Sequence, residues 1–303
     1  MTESAIAAPR TAGASAVVVR PRRRRHVEWT VWMAFVVVLA ALATAILGDA
    51  IAPYPYSSVS LTQRLLPPMI LAGGSGAHVL GTDALGRDLL SRLIVGLRVS
   101  LLAGFGGVLV AAALGTTVGL LSGYFRGWVE NVLMMVADVK LALPGILLAI
   151  GVIAVLGSSS GVLVVVIGLG IWVGFARVVR SVVIRVRNEE FVMAARSIGA
   201  GDRDIIVRHL LPNCVTPIIV LATLEVPTAI TLEASLSFLG IGIQPPTPSL
   251  GNMIADGRGY LDLNPWQTLV PALGLIILTL SVSRIGDWLT TILDPASETG
   301  TIH

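Results

Sequence analysis

Long apolar runs separated by short polar segments set the plan of this chain. The runs cover Trp29 to Leu47, Leu101 to Leu121, Val132 to Leu156, Gly161 to Ala176, about Val215 to Thr231, and Leu269 to Ser283. A helix needs about 20 predominantly apolar residues to cross a bilayer, and these runs are of that order. The pattern predicts an all-α polytopic membrane protein with six transmembrane helices. The second run is rich in Gly and Ala, which permits close approach of a neighbouring helix. Within the third, Pro144 marks a kink, and Asp138 and Lys140 lie near its start. Two positions apart, they do not share a helix face, and both are expected to reach for the cytoplasmic surface rather than form a buried pair.

Two polar segments carry patterns of their own. Between the fourth and fifth runs, residues 187–213 form a charged island. Phe191, Ala194, Ala195 and Ile198 fall at i, i+3, i+4 and i+7, one face of a short helix. Gly199-Ala200-Gly201 breaks that helix. Asp202 is placed to cap a second one, with Asp204 in its first turn and Arg208 four residues on as an ion-pair partner. Ile205, Ile206, His209 and Leu210 make its apolar face, and Pro212 closes the unit. Two short amphipathic helices meeting at a glycine turn form a surface onto which something should dock. The other segment, from Ala52 to about Ser100, begins as an extended loop with Pro53, Pro55, Pro67 and Pro68. It continues into a helix that Thr82 or Asp83 can cap, with Asp88 and Arg92 at i, i+4. Leu89, Leu90, Leu93, Ile94 and Leu97 give that helix an apolar stripe suited to lying along the membrane surface. This segment reads as a structural elbow into the second span, with a ligand site as the alternative.

Composition agrees: apolar residues are 54% of the 303 and charged ones only 13%, which excludes an ordinary soluble domain. Arginine positions set the orientation. Arg10, Arg20 and Arg22 to Arg25 lie in the N-terminal tail, and Arg177, Arg180, Arg185, Arg187, Arg196, Arg203 and Arg208 surround the island. The loop after the fifth run carries only Arg258, so both termini and the island are expected in the cytoplasm. The loop after the first run departs from this rule, with Arg64, Arg87, Arg92 and Arg98 partly balanced by Asp83 and Asp88. The basic excess therefore reflects topology, not nucleic-acid binding. A secretory signal peptide ending near Ala45 competes with an uncleaved first span, but the run is long for that role and further spans follow. The chain divides into a basic tail (1–28), a first transmembrane helix (29–51), an external loop with an interfacial helix (52–96), a five-helix transmembrane domain (97–288) and a C-terminal tail (289–303).

Catalytic chemistry is sparse. The one lysine, Lys140, precedes Leu141, so no phosphate-binding loop is present and the chain is not expected to bind ATP that way. One cysteine, Cys214, and four scattered histidines offer no metal-ligand spacing. An enzyme, or a chain with its own cofactor or metal, is not expected. Two carboxylates stand out instead. Counted inward from Pro212 at ~1.5 Å per residue, Glu225 falls near mid-membrane and Glu233 near the outer edge. Ionisable groups at such depth face a bundle interior, a water-filled path or a partner subunit. Both are candidates for a translocation path, with a hydrogen-bonded packing role as the alternative for Glu225.

At the island the sequence resembles the coupling loop of binding-protein-dependent ABC importer permeases. That pattern runs Glu-Ala-Ala, three residues, Gly, nine residues, a usually apolar position, any residue, then Leu-Pro. Here it reads Met193-Ala194-Ala195, Gly199, His209 and Leu211-Pro212. Met193 stands where the family has glutamate, while Glu189 and Glu190 lie one helical turn earlier. Leu80 to Arg92, Glu233 to Gly240 and Gly286 to Pro295 resemble further segments of the second permease subunit of dipeptide and oligopeptide importers. The resemblance implies a type I importer fold in the bacterial inner membrane. It also implies a homologous permease as partner, two cytoplasmic ATP-binding cassette domains that bind ATP and Mg, and an extracytoplasmic solute-binding protein. Glu189, Glu190, Met193, Ala194, Ala195, Gly199, Ala200, Asp202, His209, Leu211 and Pro212 become the expected ATPase-coupling residues. Two other classes compete. A helix-turn-helix DNA-binding unit would also show two short helices and basic residues, but the flanking spans leave it no access to a major groove. An ion-coupled secondary transporter or channel subunit would account for the spans and Glu225, though not for the docking unit.

Overall fold

The computed structural model describes residues 29–293, and among these every regular element is helical. In chain order they are α1 (Trp29–Ile51), α2 (Leu89–Phe125), α3 (Gly127–Ala142), α4 (Gly145–Leu156), α5 (Ser160–Val186), α6 (Glu190–Ser197), α7 (Asp202–Asp204), α8 (Leu211–Phe238), α9 (Leu250–Gly257) and α10 (Trp266–Leu293). Five helices are long and apolar enough to cross a membrane: α1, α2, α5, the continuous run Asp202–Phe238, and α10. The pair α3–α4, bent by 96° at its break, has together the length and apolarity of a sixth span. The basic tail (1–28) and the last residues (294–303) lie outside the described residues.

The bundle is built on α2 and α5, which lie against each other along most of their length. Glycines on α2 make that approach possible. A Cβ on Gly119 would come within 2.7 Å of the Ala176 carbonyl oxygen and of Val179 Cβ, and one on Gly115 within 2.5 Å of Phe175 Cβ. Removing those side chains lets the two backbones meet, the usual device where no hydrophobic effect drives helices together in lipid. Ala111, Ile167, Phe175, Ala176, Ala229 and Ile230 are fully buried in the resulting core, which α8 closes. Phe35 of α1 meets Trp288 of α10 edge-on at 5.5 Å.

Three expectations are corrected here. The interfacial helix is absent as a separate element: Leu89, Ile94 and Val95 are buried in the opening turns of α2 itself. At 37 residues, α2 runs about 55 Å, so these turns project past the ~30 Å hydrocarbon layer. Its cap is Asp88, not Thr82 or Asp83. The Asp88 carboxylate accepts from Ser91 N at 2.8 Å, Ser91 Oγ at 2.7 Å and His78 Nδ1 at 3.0 Å, and these partners turn it toward the cap and the loop. Arg92 pairs instead with Asp83 at 3.3 Å and Asp256 at 3.4 Å, tying the loop to α9. Second, the third span is broken rather than kinked. Pro144 has no N–H and holds Leu143 extended (φ −90°, ψ 131°), so α3 stops and the 12-residue α4, too short to cross alone, starts afresh. Third, the loop from 240 to 268 contains α9, started by a reciprocal cap in which Ser249 Oγ accepts from Asn252 N and Asn252 Oδ1 from Ser249 N.

Candidate functional site: a helix pair continuous with a span

The island folds as two helices about a glycine turn. Helix α6 ends on Gly199, whose φ of +88° is open to glycine at no steric cost. Gly199 N bonds to the Arg196 carbonyl at 3.0 Å and Ala200 N to that of Ala195 at 3.1 Å, which closes the helix in a Schellman turn. The apolar face of α6 is turned outward. Phe191, Met193 and Ile198 are 47%, 54% and 87% exposed, and Ala194 and Gly199 are also open, while Val192 is the buried side chain of α6, in a cluster with Val179, Val182 and Val183. Glu189 and Glu190 are exposed at the start of α6. A cluster of exposed apolar and small side chains at the edge of a charged segment marks an interaction surface.

The second helix departs from expectation at both ends. Gly201, not Asp202, occupies the cap position of α7, because the Asp202 carboxylate is turned to accept a hydrogen bond from the Tyr124 hydroxyl of α2. Asp204 and Arg208 do pair, at 3.6 Å. Pro212 does not end the unit. A wide π-type turn over Ile205–Leu210, in which Leu211 N reaches the Ile206 carbonyl, leads straight into α8. A proline needs relief of this kind, since it cannot donate to the preceding turn and its ring crowds the carbonyl four residues back. Ile205 and Leu210 are fully buried beside Cys214, with Ile206, Ala200 and Leu211 partly so. His209 lies against Phe191, ring centroids 6.1 Å apart, and holds the two helices face to face. The second helix of the docking unit and the fifth span thus form one continuous run, Asp202–Phe238.

Inside the bundle, Glu225 is half-buried on α8 and faces Gly174 of α5, where an added Cβ would lie 3.8 Å from its Oε1. Lys140 corrects an expectation: it does not reach for the surface. Its ammonium donates to the Gly170 carbonyl of α5 and lies within electrostatic reach of Glu225. The sequence rule of spacing along one helix speaks only to Asp138, so it could not reveal a partner on α8. Asp138 does stay at an exposed position, paired with Arg177 at 2.8 Å. Glu233 is held more tightly. It is fully buried and accepts from Ser100 Oγ and Ser237 Oγ, each at 2.7 Å, which makes it a joint between α2 and α8. Among the described residues, no three His, Cys, Asp or Glu side chains are grouped to hold a metal ion.

The fold and the site define a helical membrane-transport subunit with a docking unit fused to one span. Residues 115–298 match the family described as binding-protein-dependent transport system inner membrane component. The chain is 38% identical to the dipeptide transport system permease protein of Haemophilus influenzae over 261 residues, 86% of this chain and 88% of that protein. It is 40% identical to the glutathione transport system permease protein of Pectobacterium atrosepticum over 258 residues, 85% and 84% of the two chains. The fold is shared with the methionine ABC transporter MetNI in an inward-facing conformation (TM-score 0.53, 17% identity, 68% of this chain and 98% of that one). An amino acid ABC transporter solved with histidines gives a TM-score of 0.51 at 15% identity, over 67% of this chain and 94% of that one. This chain belongs to the binding-protein-dependent transport system inner membrane component family, and it is an ABC importer permease rather than an enzyme.

Proposed function

We propose that this chain forms half of the translocation path of an ATP-driven importer for di- and oligopeptides, a homologous permease supplying the other half. Two cytoplasmic ATP-binding cassette subunits, which hold the ATP and Mg, dock on the 187–213 helix pair. An extracytoplasmic solute-binding protein delivers substrate, lipid surrounds the bundle, and both termini are cytoplasmic. The observation that carries the reading is the exposed surface of Phe191, Met193, Ala194, Ile198 and Gly199 on a helix pair whose second member is continuous with α8. A nucleotide-driven push on that surface passes to the second helix and reaches the membrane through α8 as a rigid-body displacement. The peptide substrate is supported by the dipeptide and glutathione permeases among the relatives. Glu225 and Lys140, opposite in sign and partly open within the span region, suit a path for solutes that carry both charges.

The same pair favours one other reading, an ion-coupled transporter that acts without an ATPase. Affinity purification of the tagged chain from its native membrane, with mass spectrometry of its partners, separates the two. A second permease, ATP-binding subunits and a solute-binding protein are expected to co-purify. A chain recovered alone and still active in transport would favour the ion-coupled reading.

A further inference from the structure

Tyr124 ends α2 on the side of the docking unit, and four elements meet on it. The side chain is 4% exposed. Its hydroxyl donates to the Asp202 carboxylate at the start of α7 and accepts from Arg196 Nη2 of α6 at 3.3 Å. Its carbonyl accepts from Nη1 of Arg187, just beyond α5, at 2.6 Å. The guanidinium carbons of Arg187 and Arg196 each lie 5.7 Å from the ring centroid. A single hydroxyl therefore bridges the Gly199–Gly201 turn, holding a residue on either side of it.

We propose that Tyr124 is a positioning residue that makes both coupling helices carry α2 along with α8. This rests on the reading of the helix pair as the ATPase dock. The covalent chain joins α6 to α5 through residues 187–189 and α7 to α8, but not to α2, and α6 and α7 meet at a turn containing two glycines, the least restrained of residues. The Arg196–Tyr124–Asp202 relay splints that turn and fastens it to α2. Both hydrogen bonds have a charged partner and are stronger than neutral ones. The Asp202 bond is not demanded by burial: Asp202 is exposed, and water could satisfy its carboxylate. Its effect is to fix geometry. Since α2 is locked to α5 through Gly115 and Gly119, a displacement delivered at Tyr124 moves the α2–α5 pair together.

The test uses the importer purified with its ATPase subunits and spin labels on cysteines placed at Leu121 of α2 and Arg203 of α7, both exposed. The native Cys214 is fully buried. Label distances are read without nucleotide and with a non-hydrolysable ATP analogue and magnesium. With Tyr124 intact the distance is expected to be the same in both states. In Tyr124→Phe, which keeps the ring and removes the hydroxyl, it is expected to shift between states by about 2 Å, the scale of interface helix movements. A Tyr124→Phe distance that stays fixed, or an unaltered protein whose distance already shifts, would overturn the proposal. If Tyr124→Phe does not assemble, Asp202→Ala should show the shift and Asp202→Asn, which retains an acceptor oxygen, should not; a fixed distance in Asp202→Ala overturns it equally. Failure of the dock reading is distinct, since ATPase subunits would then be missing from the purified complex.

Discussion

Ser100 on α2 and Glu233 on α8 join across 2.7 Å in a site closed to solvent, although 133 positions separate them in sequence. Ser237 donates to the other carboxylate oxygen at 2.7 Å, and Leu250 N reaches Ser100 Oγ at 3.4 Å. One carboxylate thereby gathers three elements. Glu233→Ala strands two buried hydroxyls and is expected to cost about 2–3 kcal/mol of stability. Glu233→Gln, with an oxygen to accept and an amide to donate, is expected to cost less. Thermal unfolding in mild detergent checks the order, which a path-lining role would not produce.

Gly119→Leu addresses the α2–α5 contact. Its new side chain meets the Ala176 carbonyl, which is backbone and cannot rotate aside. A loss of at least about 2 kcal/mol is expected, read as a fall in melting temperature and in membrane yield.

Gly199→Trp separates folding from docking. A Cβ there meets nothing within 4 Å, so the fold is retained apart from the strain of a positive φ, about 1 kcal/mol. The indole covers the outward face of the turn. Recovery of ATPase subunits with the tagged chain is expected to drop to background while the amount of permease stays near normal.

Glu225→Gln removes the charge that Lys140 faces across the bundle. Assembly is expected to persist, with dipeptide uptake slowed roughly tenfold, the scale of one charge-assisted contact. Unchanged uptake would assign Glu225 to packing.

The spans were legible because each is a long apolar run, and the coupling loop because its small residues and glycine turn have fixed spacing. What periodicity could not reveal were relations between distant segments. Phe191, Ala194, Ala195 and Ile198 form an apolar face whichever way it points; only Val192 among the valines of α5 shows that it points outward. Asp202 had the residue type and position of a cap, yet Tyr124, 78 positions away, claims its carboxylate. Pro212 had the signature of a helix end, and a widened turn carried the helix past it. Asp88 and Arg92 had the spacing of a pair, but Asp83 and Asp256 hold the arginine. Lys140 and Glu225 belong to different helices and come within electrostatic reach only in the folded bundle.

The most direct measurement is dipeptide uptake by lipid vesicles containing this chain and its partner permease, with the solute-binding protein outside. It should be made with and without the ATPase subunits and ATP on the docking side. Uptake that requires both the ATPase subunits and ATP, and that disappears in Gly199→Trp, is the expected result. Uptake that proceeds without them, driven by an ion gradient, would contradict the assignment of the helix pair as the input for ATP-derived motion.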